Sequence, residues 1–197
     1  MKMDNSYKVY NNCFLCNSSH LTRVFKADEI ALTGVFPLAE EKDPIKTPIT
    51  LNLCKECNNL QMEEVVNKEL MFQDYWYRSG TTNSMKNHFH FLLSEIGEHN
   101  AGDSILDIGC NDCTFLQIAM EKGFDIYGLE PSVAFEDRII RDDLRIANDF
   151  FPTEKPWSLS KEKFKFITAI SMFYDVRDPL KFLNDCKSRL EVDGKLI

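Results

Sequence analysis

At 197 residues, 44% apolar and 12% aromatic, the chain can bury a substantial core, and its length suits one ordinary domain plus a small appendage. Its formal charge of -8 leaves no excess of Lys or Arg to neutralise a phosphate backbone or an anionic membrane, so neither nucleic acid nor membrane is an expected partner. The opening Met1 to Tyr10 is polar, and no run approaches the roughly 20 apolar residues of a membrane span; a soluble, cytoplasmic protein is expected.

From Asn12 to Asn59, short apolar runs are broken by Gly34, Pro37, Pro44 and Pro48, with a Cys-x-x-Cys pair near each end. Cys13 with Cys16 and Cys54 with Cys57 can place four thiolates around a zinc ion, and a small module gains folding free energy from that closure. The alternatives are reduced, half-buried thiols without metal, or His20 in place of one cysteine. Residues 1–68 are assigned to this zinc-binding module and 69–100 to a linking segment with a covering helix. Thr82 or Asn83 caps that helix, Met85, Phe89, Leu92, Leu93 and Ile96 recur at helical spacing, and Gly97 ends it. A helix over a sheet edge is expected there.

Residues 101–197 alternate strand and helix. Strands are expected over Ser104 to Ile108, Asp125 to Leu129, Leu144 to Ala147 and Phe164 to Ile170, with a further one opening at Gly194. Helices are expected over Cys113 to Lys122, Val133 to Arg141 and Asp178 to Leu190. This β-α-β order implies an α/β fold with a parallel sheet wound on both faces and ligands beyond the carboxyl ends of its strands. The chain stops as its last strand begins, so a truncated domain is expected, with a missing C-terminal part needed for full function.

Within that domain, Asp107-Ile108-Gly109-Cys110-Asn111-Asp112 follows a strand and opens a helix. Gly109 removes the side chain where a ligand must approach backbone, and the free N–H groups beyond it can meet a carboxylate. The second and third glycines of a dinucleotide loop are absent, since Asn111 and Thr114 stand in their places, which disfavours NAD. Glu130, before Pro131, closes the next strand and can accept hydrogen bonds from ribose hydroxyls. Loop plus acid narrows the ligand to an adenosine without a long phosphate chain. Cys110 and Cys113 read as loop residues, with a redox dithiol as the alternative, and Cys186 as packing.

These residues resemble motifs I and II of class I S-adenosylmethionine-dependent methyltransferases. The whole chain resembles the N-terminal half of the sugar C-methyltransferase family, through three stretches: the two cysteine pairs, Tyr75-Trp76-Tyr77-Arg78-Ser79-Gly80 followed by Met85 and His88-Phe89, and Leu106 to Asp112. The resemblance implies a truncated Rossmann-like sheet behind a small N-terminal zinc-binding module, with S-adenosyl-L-methionine and Zn2+ as cofactors. It implies that Asp107 and Gly109, with Asn111 and Asp112, border the methionine moiety, that Glu130 with Pro131 holds the ribose, and that Asn148, Asp149 and Phe150 lie beside the adenine. Ser171 and Met172 would face the reacting centre, with Tyr75, Tyr77 and Ser79 over the cofactor and Tyr77 as the catalytic contact. The alternative for Tyr75 to Gly80 is an aromatic packing cluster. Cys113 stands where the family usually has glycine. The implied activity is methyl transfer to carbon in a nucleotide-linked keto-deoxysugar; the alternative is a non-catalytic, zinc-stabilised binding module.

Overall fold

The computed structural model of the chain describes residues 6–32, 34, 36–135, 145–153 and 163–197. It divides into two compact units, residues 1–75 with 177–180, and residues 76–176 with 181–197.

The first unit is built on antiparallel pairs. β1 (Tyr7–Val9) pairs with β5 (Glu64–Val66), and β2 (Leu21–Ala31), β3 (Lys46–Cys54) and β4 (Leu60–Met62) form a three-stranded sheet in the order β2-β3-β4. β3 alternates: Thr50, Asn52 and Cys54 are buried, whereas Ile49, Leu51 and Leu53 are half-buried. The polar members of the buried row are satisfied by two acids at the start of β5. Glu64 accepts from Thr50 N and Thr50 Oγ1, both at 2.8 Å, and Asn52 donates to Glu63 at 2.9 Å. Burial without such partners would cost about 1–3 kcal/mol per group. A short helix, α1 (Lys68–Phe72), follows, with Asn67 accepting from Glu69 N as its cap.

The second unit carries a fully parallel five-stranded sheet. β6 (Ser104–Ile108), β7 (Asp125–Leu129), β8 (Arg145–Ala147), β9 (Phe164–Thr168) and β10 (Leu190–Leu196) lie in the order β10-β9-β6-β7-β8. β7 and β8 follow β6 to one side and β9 and β10 lie on the other, so the carboxyl ends of β6 and β9 mark the place where strand order reverses. β6 is buried along its whole length, as a strand covered on both faces must be. On one face, α2 (Asn83–Glu95) and α3 (Thr114–Glu121) bring Phe89, Leu93, Phe115 and Leu116 against Ile105, Ile126 and Phe166. On the other, α4 (Pro179–Arg189) brings Phe182 and Cys186 against Leu106, Leu129 and Ile167.

α2 packs with α3 over a face of the sheet, its apolar stripe meeting Phe115 at a ring separation of 5.4 Å, and its C-terminal end reaches the edge strand β10, where Lys195 Nζ donates to Ile96 O at 3.0 Å. Thr82 caps it through Oγ1 to Met85 N, and Gly97 follows with φ 85°. The expected helix from Val133 begins as a 3-10 turn, Val133–Phe135; the rest of that expectation lies outside the described residues. The last strand starts at Leu190, four residues before the expected position, and its register with β9 shifts between Leu190 and Lys195. Among the described residues, no helix is long and apolar enough to cross a membrane.

Candidate functional site

The loop after β6 is shaped by three residues at positive φ: Gly109 (75°), Asn111 (52°) and Cys113 (62°). Only glycine adopts this conformation without steric cost, so Asn111 and Cys113 hold strain that the surrounding bonds must balance. Gly109 N and Cys110 N both donate to Leu129 O, at 2.8 and 3.0 Å, which folds the loop back onto the end of β7. A side chain at Gly109 would point at Met172, about 3.6 Å away. Cys113 is the left-handed residue that starts α3, and its thiol is completely buried. Cys110 is buried too, and its thiol is held well above its ordinary pKa by the bond to Cys113 and by burial. Both side chains are buried and pack the loop onto the core.

Glu130 follows β7 and Gly109 follows β6; with Ile108 opposite Leu129 in parallel register, both lie at the same end of the sheet. Glu130 accepts from Asn111 N at 2.7 Å through one oxygen and from Ser132 N at 2.8 Å through the other. Its pKa is raised by burial, against which the backbone N–H groups of Ser132 and Asn111 act. Asp107, near the end of β6, accepts from Thr168 Oγ1 at 2.6 Å. Burial pushes its pKa up to about 7, with Glu130 adding to the rise and Thr168 opposing it. Pro131 continues from Glu130, and the Asn148 amide donates to Glu130 O and Ser132 O at 2.9 and 3.2 Å, closing β8 onto this turn. Asp149 accepts from Phe150 N and Thr153 Oγ1. After β9, Ser171 takes φ 55° and Met172 reaches toward Gly109.

A strap formed by residues 77–80 crosses the loop. Asn111 receives Ser79 N on Oδ1 and donates Nδ2 to Tyr77 O, both at 2.9 Å, so its amide substitutes for a peptide group of a neighbouring strand. Asp112 takes Gly80 N at 2.9 Å on one oxygen and Thr114 N and Oγ1 on the other. A Cβ at Gly80 would collide with Thr114 Oγ1 and lie 3.0 Å from Asp112 Oδ2. Tyr77 packs edge-on to Trp76. Tyr75 closes the first unit and packs edge-on to Phe72.

The arrangement unites a bare-backbone bend, two buried carboxylates and free strand ends where strand order reverses. A family model described as "Methyltransferase domain" matches residues 77–197. The chain belongs to the methyltransferase-domain family. Among curated relatives, the ubiquinone biosynthesis O-methyltransferase of Histophilus somni is 25% identical over 70% of this chain and 63% of the relative. The enzyme of that name from Haemophilus ducreyi is 24% identical over 71% and 64%. The chain thus spans less than two thirds of the length of either. Coclaurine N-methyltransferase, solved with N-methylheliamine and SAH, aligns at 19% identity over 66% of this chain and 40% of that one, with a TM-score of 0.48.

The first unit holds a separate cluster. Cys13, Cys16, Cys54 and Cys57 bring their sulfurs within 4.8 Å of one another, with Cys13–Cys57 at 3.5 Å and Cys16–Cys54 at 3.6 Å. A tetrahedral zinc ion with bonds of about 2.3 Å sets its sulfurs about 3.8 Å apart, a spacing between these two contacts and the 4.8 Å bound, so the four suit such an ion. The two turns that carry them are built alike. Asn17 and Asn58, each just after the second cysteine, take φ 60°; Asn17 N bonds Cys13 O, and Asn58 N bonds Cys54 O, both at 3.0 Å. Cys13 N meets Ser18 O and Cys54 N meets Asn59 O, both at 2.8 Å. Repeated Cys-x-x-Cys-Asn could have signalled this pairing in the sequence. Crowding splits the thiols: burial raises Cys13, but backbone N–H groups and the neighbouring thiols outweigh it and lower its pKa to about 6, while Cys57 is pushed up to about 12, its backbone bond to Asn59 outweighed by burial and the neighbouring thiols. Such a cluster can carry its full charge only around a cation. His20 lies on the surface, paired with Glu56 at 2.7 Å.

Proposed function

We propose that the second unit binds S-adenosyl-L-methionine and transfers its methyl group to a small molecule. The observation that carries the reading is the juxtaposition of Gly109 and Glu130 on adjacent parallel strand ends, linked through Asn111 N. Asp107 and Gly109 border the methionine moiety. Glu130 accepts from the ribose hydroxyls beside Pro131, and Asn148, Asp149 and Phe150 flank the adenine. The cofactor supplies a methyl group already activated on a sulfonium, so the protein's task is alignment and, where the acceptor requires it, removal of a proton. Ser171 and Met172 border the reacting side. Asn111 and Asp112 hold the strap through Ser79 and Gly80, and Tyr77 on that strap is the proposed catalytic contact.

For the acceptor, the resemblance of three stretches to sugar C-methyltransferases supports carbon in a nucleotide-linked keto-deoxysugar. The curated relatives, named as O-methyltransferases, favour an oxygen acceptor instead. Incubation with a methyl-labelled donor and either a keto-deoxysugar nucleotide or a hydroxylated ubiquinone precursor separates the two, because label enters only the true acceptor class. Calorimetry with S-adenosylmethionine tests the step common to both: no binding to the folded chain defeats the proposal.

For the first unit we propose a structural zinc site made by Cys13, Cys16, Cys54 and Cys57. The sulfur spacing and the matching turns support it. Elemental analysis after purification without added metal should give close to one zinc per chain, and a value far below one contradicts the proposal.

A further inference from the structure

The zinc site proposed above is made by two turns that the fold supports unequally. Cys54 ends β3, and the turn it opens is anchored by backbone bonds: Cys54 pairs with Leu21 on β2, Cys54 N donates to Asn59 O at 2.8 Å, and Lys55 N donates to His20 O at 2.9 Å. The turn of Cys13 lies between β1 and β2 and belongs to no strand. Among the described residues, and apart from the contacts between the thiols themselves, the hydrogen bonds that tie residues 12–16 to the β3-β4 hairpin pass through two amide side chains, those of Gln61 and Asn59.

Gln61 lies on β4 opposite Asn52 and is 6% exposed. Its Oε1 accepts from Phe14 N at 2.8 Å and its Nε2 donates to Asn12 O at 3.0 Å, so one amide brackets Cys13 through the residue before it and the residue after it. A residue of a parallel strand bonds its neighbour in this pattern. The same Oε1 takes a second bond, from Asn59 Nδ2 at 3.1 Å, and that nitrogen lies 3.9 Å from Cys13 Sγ as an N–H···S donor. Both lone pairs of the Gln61 oxygen and one of its N–H groups are thus engaged around a single cysteine. Reversing the amide would set its NH2 against the N–H of Phe14, so the network admits one orientation.

We infer that Gln61 is a positioning residue of the metal site: it fixes the Cys13 backbone on both sides and aims the Asn59 amide at the Cys13 sulfur, giving the first turn the support that the second receives from the sheet. The inference rests on the zinc reading above. Groups behind the ligands set the ligands' orientation and basicity, so losing Gln61 lowers metal affinity by about 10–100-fold although all four sulfurs remain. Thr50 provides the contrast. It is buried in the same sheet and bonds Glu64, but among the described residues it touches neither turn, so loss of its hydroxyl weakens the sheet without disturbing the ligands.

The experiment is competition for zinc against a chromogenic chelator, together with absorption spectra of the cobalt(II)-loaded protein, whose ligand-field and thiolate-to-cobalt bands report the geometry of the four sulfurs. It uses the full chain as native protein, Gln61→Ala, Gln61→Glu and Thr50→Val. Thr50→Val measures how far a lost sheet bond lowers affinity through folding alone, and it should keep the native cobalt spectrum. Gln61→Ala should bind zinc about 10–100-fold more weakly than Thr50→Val, with its cobalt bands displaced from the native positions. Gln61→Glu keeps the acceptor for Phe14 N and Asn59 Nδ2 but turns a lone pair toward Asn12 O. It too should bind more weakly than Thr50→Val with displaced bands, and it decides the matter if the alanine variant does not fold. A native cobalt spectrum in the deciding variant, or an affinity no lower than that of Thr50→Val, overturns the inference and leaves the zinc reading intact. A folded native chain that takes up neither zinc nor cobalt removes both.

Discussion

The backbone N–H of Asn111 donates to Oε2 of Glu130 at 2.7 Å, and that bond joins the loop after β6 to the end of β7. The side chain of the same residue reaches the other way, to Ser79 N and Tyr77 O. Acid, loop and strap are consequently links of one polar chain, and a change at any link is transmitted to the others.

Removing the acid tests the first link. Glu130→Ala leaves Asn111 N and Ser132 N buried without their acceptor, at about 1–3 kcal/mol for each. Urea unfolding should show a loss of several kcal/mol in the second unit, and binding of S-adenosylmethionine should become undetectable. Glu130→Gln retains one acceptor oxygen but turns an NH2 group toward the other donor, so it should fall between the native protein and the alanine variant on both measures.

Two glycines test how closely the elements approach. A Cβ on Gly128 would lie 2.6 Å from Ile146 Cδ1, 2.7 Å from Cys110 Sγ and 2.8 Å from Leu116 Cδ1. Gly128→Ala should cost about 1–3 kcal/mol by overpacking, read as a lower urea midpoint. Gly97 has φ 85° and open space around it. Gly97→Ala should cost about 1 kcal/mol, from backbone conformation alone.

Much of this architecture is legible in the sequence, for identifiable reasons. β6, buried on both faces, reads as Ser-Ile-Leu-Asp-Ile followed by glycine, and a strand that ends in an acid and a bare bend has few other uses. The strap's bonds are not legible, because they run from backbone atoms of Tyr77, Ser79 and Gly80 to the side chains of Asn111 and Asp112, 32 to 34 residues away; side-chain chemistry says nothing of which peptide groups it will meet. Nor is the face that α2 covers. Its apolar spacing fixes a helix with one buried stripe, but the partner for that stripe, Phe115, is chosen by tertiary packing. Cys113 looked like a departure from glycine, and its φ of 62° reveals that the backbone there keeps the glycine-like conformation while the thiol fills the core.

Asp107 makes stability depend on pH in a direction opposite to a salt-bridged acid. Its pKa rises from 3.8 to about 7 on folding, chiefly through burial, so the folded state binds the proton more tightly than the unfolded state. The stability this provides is fully present below the unfolded value and is lost as pH climbs through about 7. Glu130 is raised by burial as well and acts in the same direction. The melting temperature of the second unit without ligand should therefore fall between about pH 5 and pH 8. Asp107→Asn should reduce that fall; an unchanged slope would show that the acid ionises as freely in the fold as in water.

In the first unit the cysteine cluster should govern folding. Cys54 is completely buried and Cys13 is 4% exposed, whereas Cys16 and Cys57 face solvent. Around the cluster the sheet buries Thr50, Asn52, Gln61 and Glu64, groups whose hydrogen bonds offset their desolvation but add little net stability. With so little apolar material inward, closure of the two knuckles by a metal becomes the main favourable contribution. Removal of the ion by a chelator, or Cys54→Ser, should melt the β2-β3-β4 sheet, seen as lost strand signal in far-ultraviolet circular dichroism and rapid proteolysis between residues 12 and 60. Cys186→Ser is the control: that thiol packs under α4, so its variant should retain the full complement of zinc and an intact first unit. If the Cys54 variant keeps both its strand signal and its resistance to protease, the sheet is held by packing alone and the four thiols are not its keystone.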